Sequence, residues 1–120
     1  NDDMGAFMPH LKAFYDKFPY TIINNNERHY QAVMFTIFTM LGEDVKVEYI
    51  TSDGRIDLVL KTEQSIFIFE LKYEKSAGTA MAQICGKDYA KAFADDRRKV
   101  VKVGVNFSED QRSIEDWVIG

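Results

Sequence analysis

The sequence predicts a single α/β sandwich-like domain with elements in the order α-α-β-β-β-α-β-(β), and three observations predict it. The period of the apolar residues changes from about 3.6 to 2 after Gly42 and becomes helical again at Ala80. A Val-rich run from Val100 to Phe107 then reads as a strand buried on both faces. The 120 residues are 46% hydrophobic and 28% charged with only 2 Pro and 7 Gly, which suits one packed core and excludes disorder, collagen and low complexity.

Phe7, Leu11, Phe14, Tyr15 and Phe18 lie at helical spacing, with Pro9 tolerable in a first turn and Pro19 closing the segment. Asn24, Asn25 and Asn26 are loop and N-cap residues for a second helix. Its stripe of Tyr30, Val33, Met34, Ile37, Phe38 and Leu41 faces the core, and Gly42 suits a left-handed C-terminal residue. Val45, Val47 and Tyr49 then alternate with Lys46, Glu48 and Ile50 as in a strand. Asp53-Gly54 is a two-residue hairpin signal. The returning strand puts Arg55, Asp57 and Val59 on one face and Ile56, Leu58 and Leu60 on the other. After a turn at Thr62 to Gln64, a third strand sets Ile66, Ile68, Glu70 and Lys72 opposite Phe67, Phe69 and Leu71, completing an antiparallel meander. Ser76 to Thr79 read as loop and cap, Ala80 to about Phe93 as helix, and Asp95 to Arg98 as a polar break. A short last element ends at Trp117-Val118-Ile119.

The net charge of −4 argues against a general nucleic-acid binder. Residues 71–105, however, carry 8 basic and 4 acidic side chains, a local basic surplus compatible with a phosphate-bearing partner or with a solvated face. The apolar runs are far shorter than the ~20 residues that span a bilayer, so no membrane role is expected. The single cysteine, Cys85, cannot form an internal disulfide and is read as a small buried hydrophobe, which points to the reducing cytoplasm. No signal peptide is visible, and the start at Asn1 suggests a processed end or a piece of a longer protein.

Three polar residues contradict the strand pattern. Asp57 sits mid-strand among Ile56, Leu58 and Val59, and Glu70 continues the face of Ile66 and Ile68. Lys72 points the same way one strand period later. Singly, each has an ordinary explanation as an exposed strand residue or a surface ion pair. Together they offer two carboxylates and an ammonium on adjacent strands, against the interest of folding, as happens at functional sites. Two hard oxygen ligands suit Mg²⁺, and a lysine beside a bound water helps position or deprotonate it for attack on phosphorus.

The segments Gly54-Arg55-Ile56-Asp57-Leu58-Val59-Leu60, Ile68-Phe69-Glu70-Leu71-Lys72 and Gln83-Ile84 with Tyr89 resemble the PD-(D/E)XK nuclease superfamily. Within it they resemble the RecB-like branch and the bacterial family found at the C-terminus of AAA-type ATPase-like proteins. The likeness runs from about Pro19 to the end and includes Gly104-Val105-Asn106-Phe107; Ile56 stands where the superfamily's name has Pro. The resemblance implies a restriction-endonuclease-like core, α-β-β-β-α-β, with a mixed sheet flanked by helices. Residues 20–120 would form it, and residues 1–19 an extra N-terminal helix, the remnant of a linker to a preceding domain. It implies Asp57, Glu70 and the Leu71 carbonyl as ligands of Mg²⁺ or Mn²⁺, and Lys72 as the group that orients or activates water. Glu27, leading the stripe of the second helix, matches the family's helical acid; the alternative, equally open, is an ordinary favourable acid in the first helical turn. Gln83 matches the helical Gln that contacts site or substrate. Arg55, Lys75, Lys87 and Tyr89 would meet nucleic acid, although Arg55 also balances Asp57 and a helical Tyr is commonly core.

The activity implied is hydrolysis of phosphodiester bonds, foremost in DNA, with water as nucleophile and a 3′-OH leaving group. The alternative is a catalytically silent nuclease-fold module for nucleic-acid or protein interaction on an ATPase-like protein, which the low basic charge favours. A stand-alone structural homodimer is a third reading, and exposed aromatics of the first helix such as Phe7 and Phe14 suit packing on a partner domain. His10 and His29 lack a zinc-type partner spacing, Cys85 lacks a His partner, and no phosphate-cradling glycine loop is present.

Overall fold

A computed structural model describes residues 3–19 and 26–120, and in it helix gives way to sheet where the apolar period changes. Helices α1 (Met4–Asp16) and α2 (Glu27–Met40) each begin at a side chain that satisfies an orphan amide. Asp3 accepts from the Ala6 N–H at 3.0 Å, and Asn26 from the His29 N–H at 2.8 Å. The assignment of Asn24 and Asn25 lies outside the described residues. Gly42 follows α2 with a left-handed φ of 83°, as expected.

Strands β1 (Asp44–Thr51), β2 (Gly54–Lys61), β3 (Ser65–Tyr73), β4 (Lys99–Ser108) and β5 (Ser113–Ile119) form one sheet in that spatial order. Strands β3 and β4 are parallel and every other pair is antiparallel, so the sheet is mixed and helix α3 (Ala77–Gly86) lies in the crossover between them. This is the expected α/β fold, α-β-β-β-α-β with an added helix at the front. One sheet face buries Leu58, Phe67, Phe69, Val105 and Phe107 against Met8, Tyr15, Tyr30, Met34 and Phe38 of α1 and α2. The other buries Ile56, Val59, Ile66 and Ile68 against Ile84, Tyr89 and Phe93. Among the described residues no helix is long and apolar enough to cross a membrane.

Two contacts fix the helices over the central strands. The Tyr15 hydroxyl donates to the Tyr30 carbonyl at 2.6 Å, and the Tyr30 ring stacks on Phe107 at 4.2 Å, which ties the start of α2 to the end of β4. On the other face α3 lies directly on Gly104, where a Cβ would fall 2.6 Å from the Ala77 carbonyl oxygen and 2.9 Å from the Met81 nitrogen. Only a residue without a side chain lets the helix approach that far.

Several expectations are corrected. The helix expected over Ala80 to Phe93 starts earlier, at Ala77 behind the Ser76 cap, and stops at Gly86. Asp88 then takes a left-handed φ of 50° and a 3-10 turn (Tyr89–Phe93) follows. The hairpin turn is centred on Ser52-Asp53, one residue earlier than Asp53-Gly54, because Thr51 pairs with Gly54. Cys85 is exposed, since it lies on the side of α3 away from Ala77, Ala80 and Ile84. Phe14 is exposed as expected, but Phe7 is half-buried against Phe38 at 5.6 Å. Alternation also breaks within the hairpin: Val45 packs on the α1/α2 side and Tyr49 on the α3 side, although they share a parity. Leu58 and Ile56 divide in the same way.

Candidate active site

Antiparallel pairing of β2 with β3 runs from Lys61–Ile66 to Leu58–Phe69. At the next position the strands part, and the Asp57 carboxylate accepts the Leu71 N–H at 2.8 Å. Glu70 and Lys72 have the parity of Ile66 and Ile68 and therefore face α3. There the Lys72 ammonium donates to the Gln83 side-chain oxygen at 2.6 Å and lies 3.7 Å from Glu70 Oε2. The approach of α3 over Gly104 is what brings Gln83 onto Lys72.

Glu70 is the least expected residue in the core. Its side chain is only 4% exposed, and Oε1 is buried with no hydrogen-bond partner among the described residues. A buried carboxylate oxygen left unpaired is costly. Burial raises the Glu70 pKa most, and the neighbouring Asp57 charge raises it further, with Lys72 opposing both. Asp57 is also raised, by burial first and by the charge of Glu48, while the Leu71 N–H pulls it down. Two acids pressed together at the mouth of a splayed sheet resist full ionisation unless a cation joins them.

A cleft of about 170 Å³ opens beside Asp57, lined by Glu27, Arg28, Gln31, Glu48, Asp57 and Leu71. Glu27 is the first residue of α2, and its pKa is raised by partial burial and by Asp57 and lowered by Lys72 and Lys75. The structure thus brings Asp57, Glu70, Lys72, Gln83 and Glu27 together around one end of β3. Arg55 is exposed, 3.9 Å from the Glu48 carboxylate. Lys75 is exposed at the end of β3, its backbone N–H donating to Asn106 Oδ1 at 3.0 Å. Lys87 is the exposed C-cap of α3, one turn beyond Gln83.

Tyr89, expected to meet nucleic acid, is buried instead. It is 2% exposed, packs in the α3-side core, and its hydroxyl donates to the Arg55 carbonyl at 3.0 Å. Its ring end rests against Gly54, where an added Cβ would sit 3.3 Å from the hydroxyl oxygen. No face of that ring is open to a base or a phosphate.

Gln31, Glu48 and Arg28 line the cleft and were not singled out from sequence. Gln31 and Arg28 resemble ordinary helix residues, and Glu48 reads as the solvent side of an amphipathic strand. Among the described residues no three His, Cys, Asp or Glu side chains converge as a ready-made metal cage. Two carboxylates with backbone oxygen and water suit Mg²⁺, which retains much of its hydration. The Glu70 oxygen beside Asp57, unpartnered among the described residues, fits that role.

The mixed sheet with its parallel β3–β4 pair, and the acids and lysine where β2 and β3 separate, place the chain in the restriction-endonuclease-like class. The family model described as the PD-(D/E)XK nuclease superfamily matches residues 25–117, and the chain belongs to that superfamily. It is also 33% identical over 125 residues to a protein of Azotobacter chroococcum mcd 1, described as the uncharacterized protein in the vnfD 5′ region. That match covers 98% of this chain and 24% of the relative, so the chain spans about a quarter of the relative's length.

Proposed function

We propose that the chain is a metal-dependent nuclease domain of the RecB-like branch that hydrolyses phosphodiester bonds in DNA, with Mg²⁺ or Mn²⁺ as cofactor. The observation that carries this reading is the Glu70 carboxylate, whose buried Oε1 has no hydrogen-bond partner among the described residues and whose Oε2 lies 3.7 Å from the Lys72 ammonium, with Asp57 beside it. Asp57, Glu70 and the Leu71 carbonyl would hold the cation, which when bound supplies positive charge to a phosphate and acidifies a water. Lys72 offers its ammonium to the phosphate or to the attacking water, and Gln83 fixes where that ammonium sits. Glu27 closes the α2 side of the cleft and is placed to take a proton or accept a water hydrogen bond. Arg55, Lys75 and Lys87 are exposed cations available to the nucleic-acid backbone.

The relative about four times as long supports a reading in which this domain is one part of a larger polypeptide. We propose further that an ATPase-like domain precedes it and that the protein is cytoplasmic. Residues 1–19 would then lie at the junction, with α1 packed into the core of this domain. The net charge of −4 favours a second reading, a silent module that binds nucleic acid or protein. One experiment separates them. Cleavage of single- and double-stranded DNA and RNA is followed with Mg²⁺ or Mn²⁺, for the wild type and for Asp57→Ala and Glu70→Ala. Metal-dependent cleavage lost in both variants supports the nuclease. Metal-independent nucleic-acid binding that Glu70→Ala leaves unchanged, without cleavage, supports the silent module.

A further inference from the structure

We infer that Gln31 and Glu48 form a clasp that positions the Asp57 carboxylate; the inference rests on Asp57 belonging to the site and deepens that reading. The break in alternation within the β1–β2 hairpin is confined to one place. Val47 pairs with Leu58 and Tyr49 pairs with Ile56, so Glu48 and Asp57 occupy the position between them. Val45, Leu58 and Leu60 pack toward α1 and α2, whereas Tyr49 and Ile56, of the same parity on their own strands but across this position, pack toward α3. Glu48 achieves the switch with a φ of 51°, a conformation that a glutamate rarely takes in a strand.

Something must hold such a kink, and Gln31 is placed to do it. Its side-chain nitrogen donates to Glu48 Oε2 at 3.2 Å and to the Asp57 carbonyl at 2.8 Å. Both partners are acceptors, so the amide must present its NH₂ group, whose two hydrogens serve one strand each. The other Glu48 oxygen lies 3.9 Å from Arg55. One helix side chain therefore grips both strands of the hairpin at the kink. With its carbonyl held by Gln31, Asp57 leaves the β3 ladder and its carboxylate turns onto the Leu71 N–H. Without the clasp, the hairpin relaxes toward regular alternation and the carboxylate loses that hydrogen bond. Gln31 and Glu48 are positioning residues: they act on the cation site through Asp57.

The test follows the Leu71 amide by ¹⁵N-edited NMR and hydrogen exchange in the metal-free 120-residue chain, and Mg²⁺ affinity by calorimetry. In Gln31→Leu and Glu48→Leu the Leu71 amide moves upfield and its exchange protection is lost, while the Val103 amide in β4 stays where it is. Glu48→Gln, which keeps an acceptor for Gln31, retains the wild-type Leu71 signal. Mg²⁺ affinity falls about 10- to 100-fold in Gln31→Leu, the usual effect of losing a group that orients a metal ligand. An unchanged Leu71 amide in Gln31→Leu overturns the clasp, and so does a Val103 signal that moves with it, since the effect would then be general. Glu48→Gln behaving like Glu48→Leu overturns it too, because charge and not geometry would be at work. If Glu48→Leu does not fold, Gln31→Leu at its half-buried helix position decides alone. If the wild type takes up no Mg²⁺ while Leu71 still responds, the metal reading of the site falls and the clasp stands.

Discussion

Replacing Glu70 by glutamine should make the metal-free domain more stable at pH 8 and remove most of its dependence on pH. The Glu70 carboxyl is buried against Asp57, and its pKa is pushed from 4.5 up to about 8. A folded state that raises an acid's pKa binds more protons than the unfolded chain across that interval. The stabilising effect of the proton is complete below pH 4.5 and is lost as pH rises to about 8. One proton corresponds to at most about 1.4 kcal/mol per pH unit, so between pH 5 and 8 the wild type should lose roughly 3 kcal/mol. For a domain of this size that is a fall of roughly 10 °C in melting temperature. Asp57, also raised by burial, adds to the trend in the same direction. Calorimetric melting in EDTA from pH 5 to 8 measures it, with Glu70→Gln nearly flat over the range because an amide does not titrate there. Adding Mg²⁺ at pH 8 should restore the wild type and leave the variant unmoved, since binding requires the ionised carboxylate. A wild-type melting temperature that holds or rises from pH 5 to 8, or a variant that tracks it, would refute the account of Glu70 as a buried acid awaiting a cation.

Gly104→Ala should destabilise by about 1–3 kcal/mol, because the new methyl group meets the α3 backbone at 2.6 Å; urea unfolding reads the loss. The same substitution should lower nuclease activity by lifting Gln83 off Lys72, so the ¹⁵N shifts of α3 are expected to move with it. Lys72→Met should abolish cleavage while leaving Mg²⁺ binding measurable by calorimetry, since the ammonium is not a ligand; cleavage at wild-type rate would remove Lys72 from the mechanism. Tyr89→Phe should cost about 0.5–1.5 kcal/mol through the lost hydrogen bond to the Arg55 carbonyl. Its affinity for DNA, read by fluorescence anisotropy, should equal that of the wild type.

The order of elements was legible because each helix and strand carries its own apolar period, and the parallel β3–β4 pair follows from a helix intervening between two buried strands. Asp57, Glu70 and Lys72 were legible for the opposite reason, as charges set where the strand pattern demands apolar residues. The end of α3 was less so. Ala, Met, Gln and Lys favour helix on both sides of Asp88, and only its left-handed backbone divides the segment. Tyr89 was misplaced because a tyrosine beside a basic stretch has no sequence mark of burial; its packing depends on the missing side chain of Gly54, 35 positions earlier.

Glu48 was hidden by a turn that lies one residue earlier than the sequence signal. With the turn centred on Asp53-Gly54, Asp57 would stand opposite Ile50 and Glu48 opposite Val59, so no pair of acids would meet. With the observed turn at Ser52-Asp53, the position opposite Asp57 is Glu48. Moving a two-residue turn by one position shifts every cross-strand partner by two, which keeps the faces but changes the partners, and here it decides whether two carboxylates confront each other. Alternation breaks at the same position, and the Gln31 amide that bonds to both strands holds the break open. The residues that a strand pattern expresses worst are therefore those that make Asp57 leave its strand, and a site built on leaving the ladder is the kind that periodicity alone does not reveal.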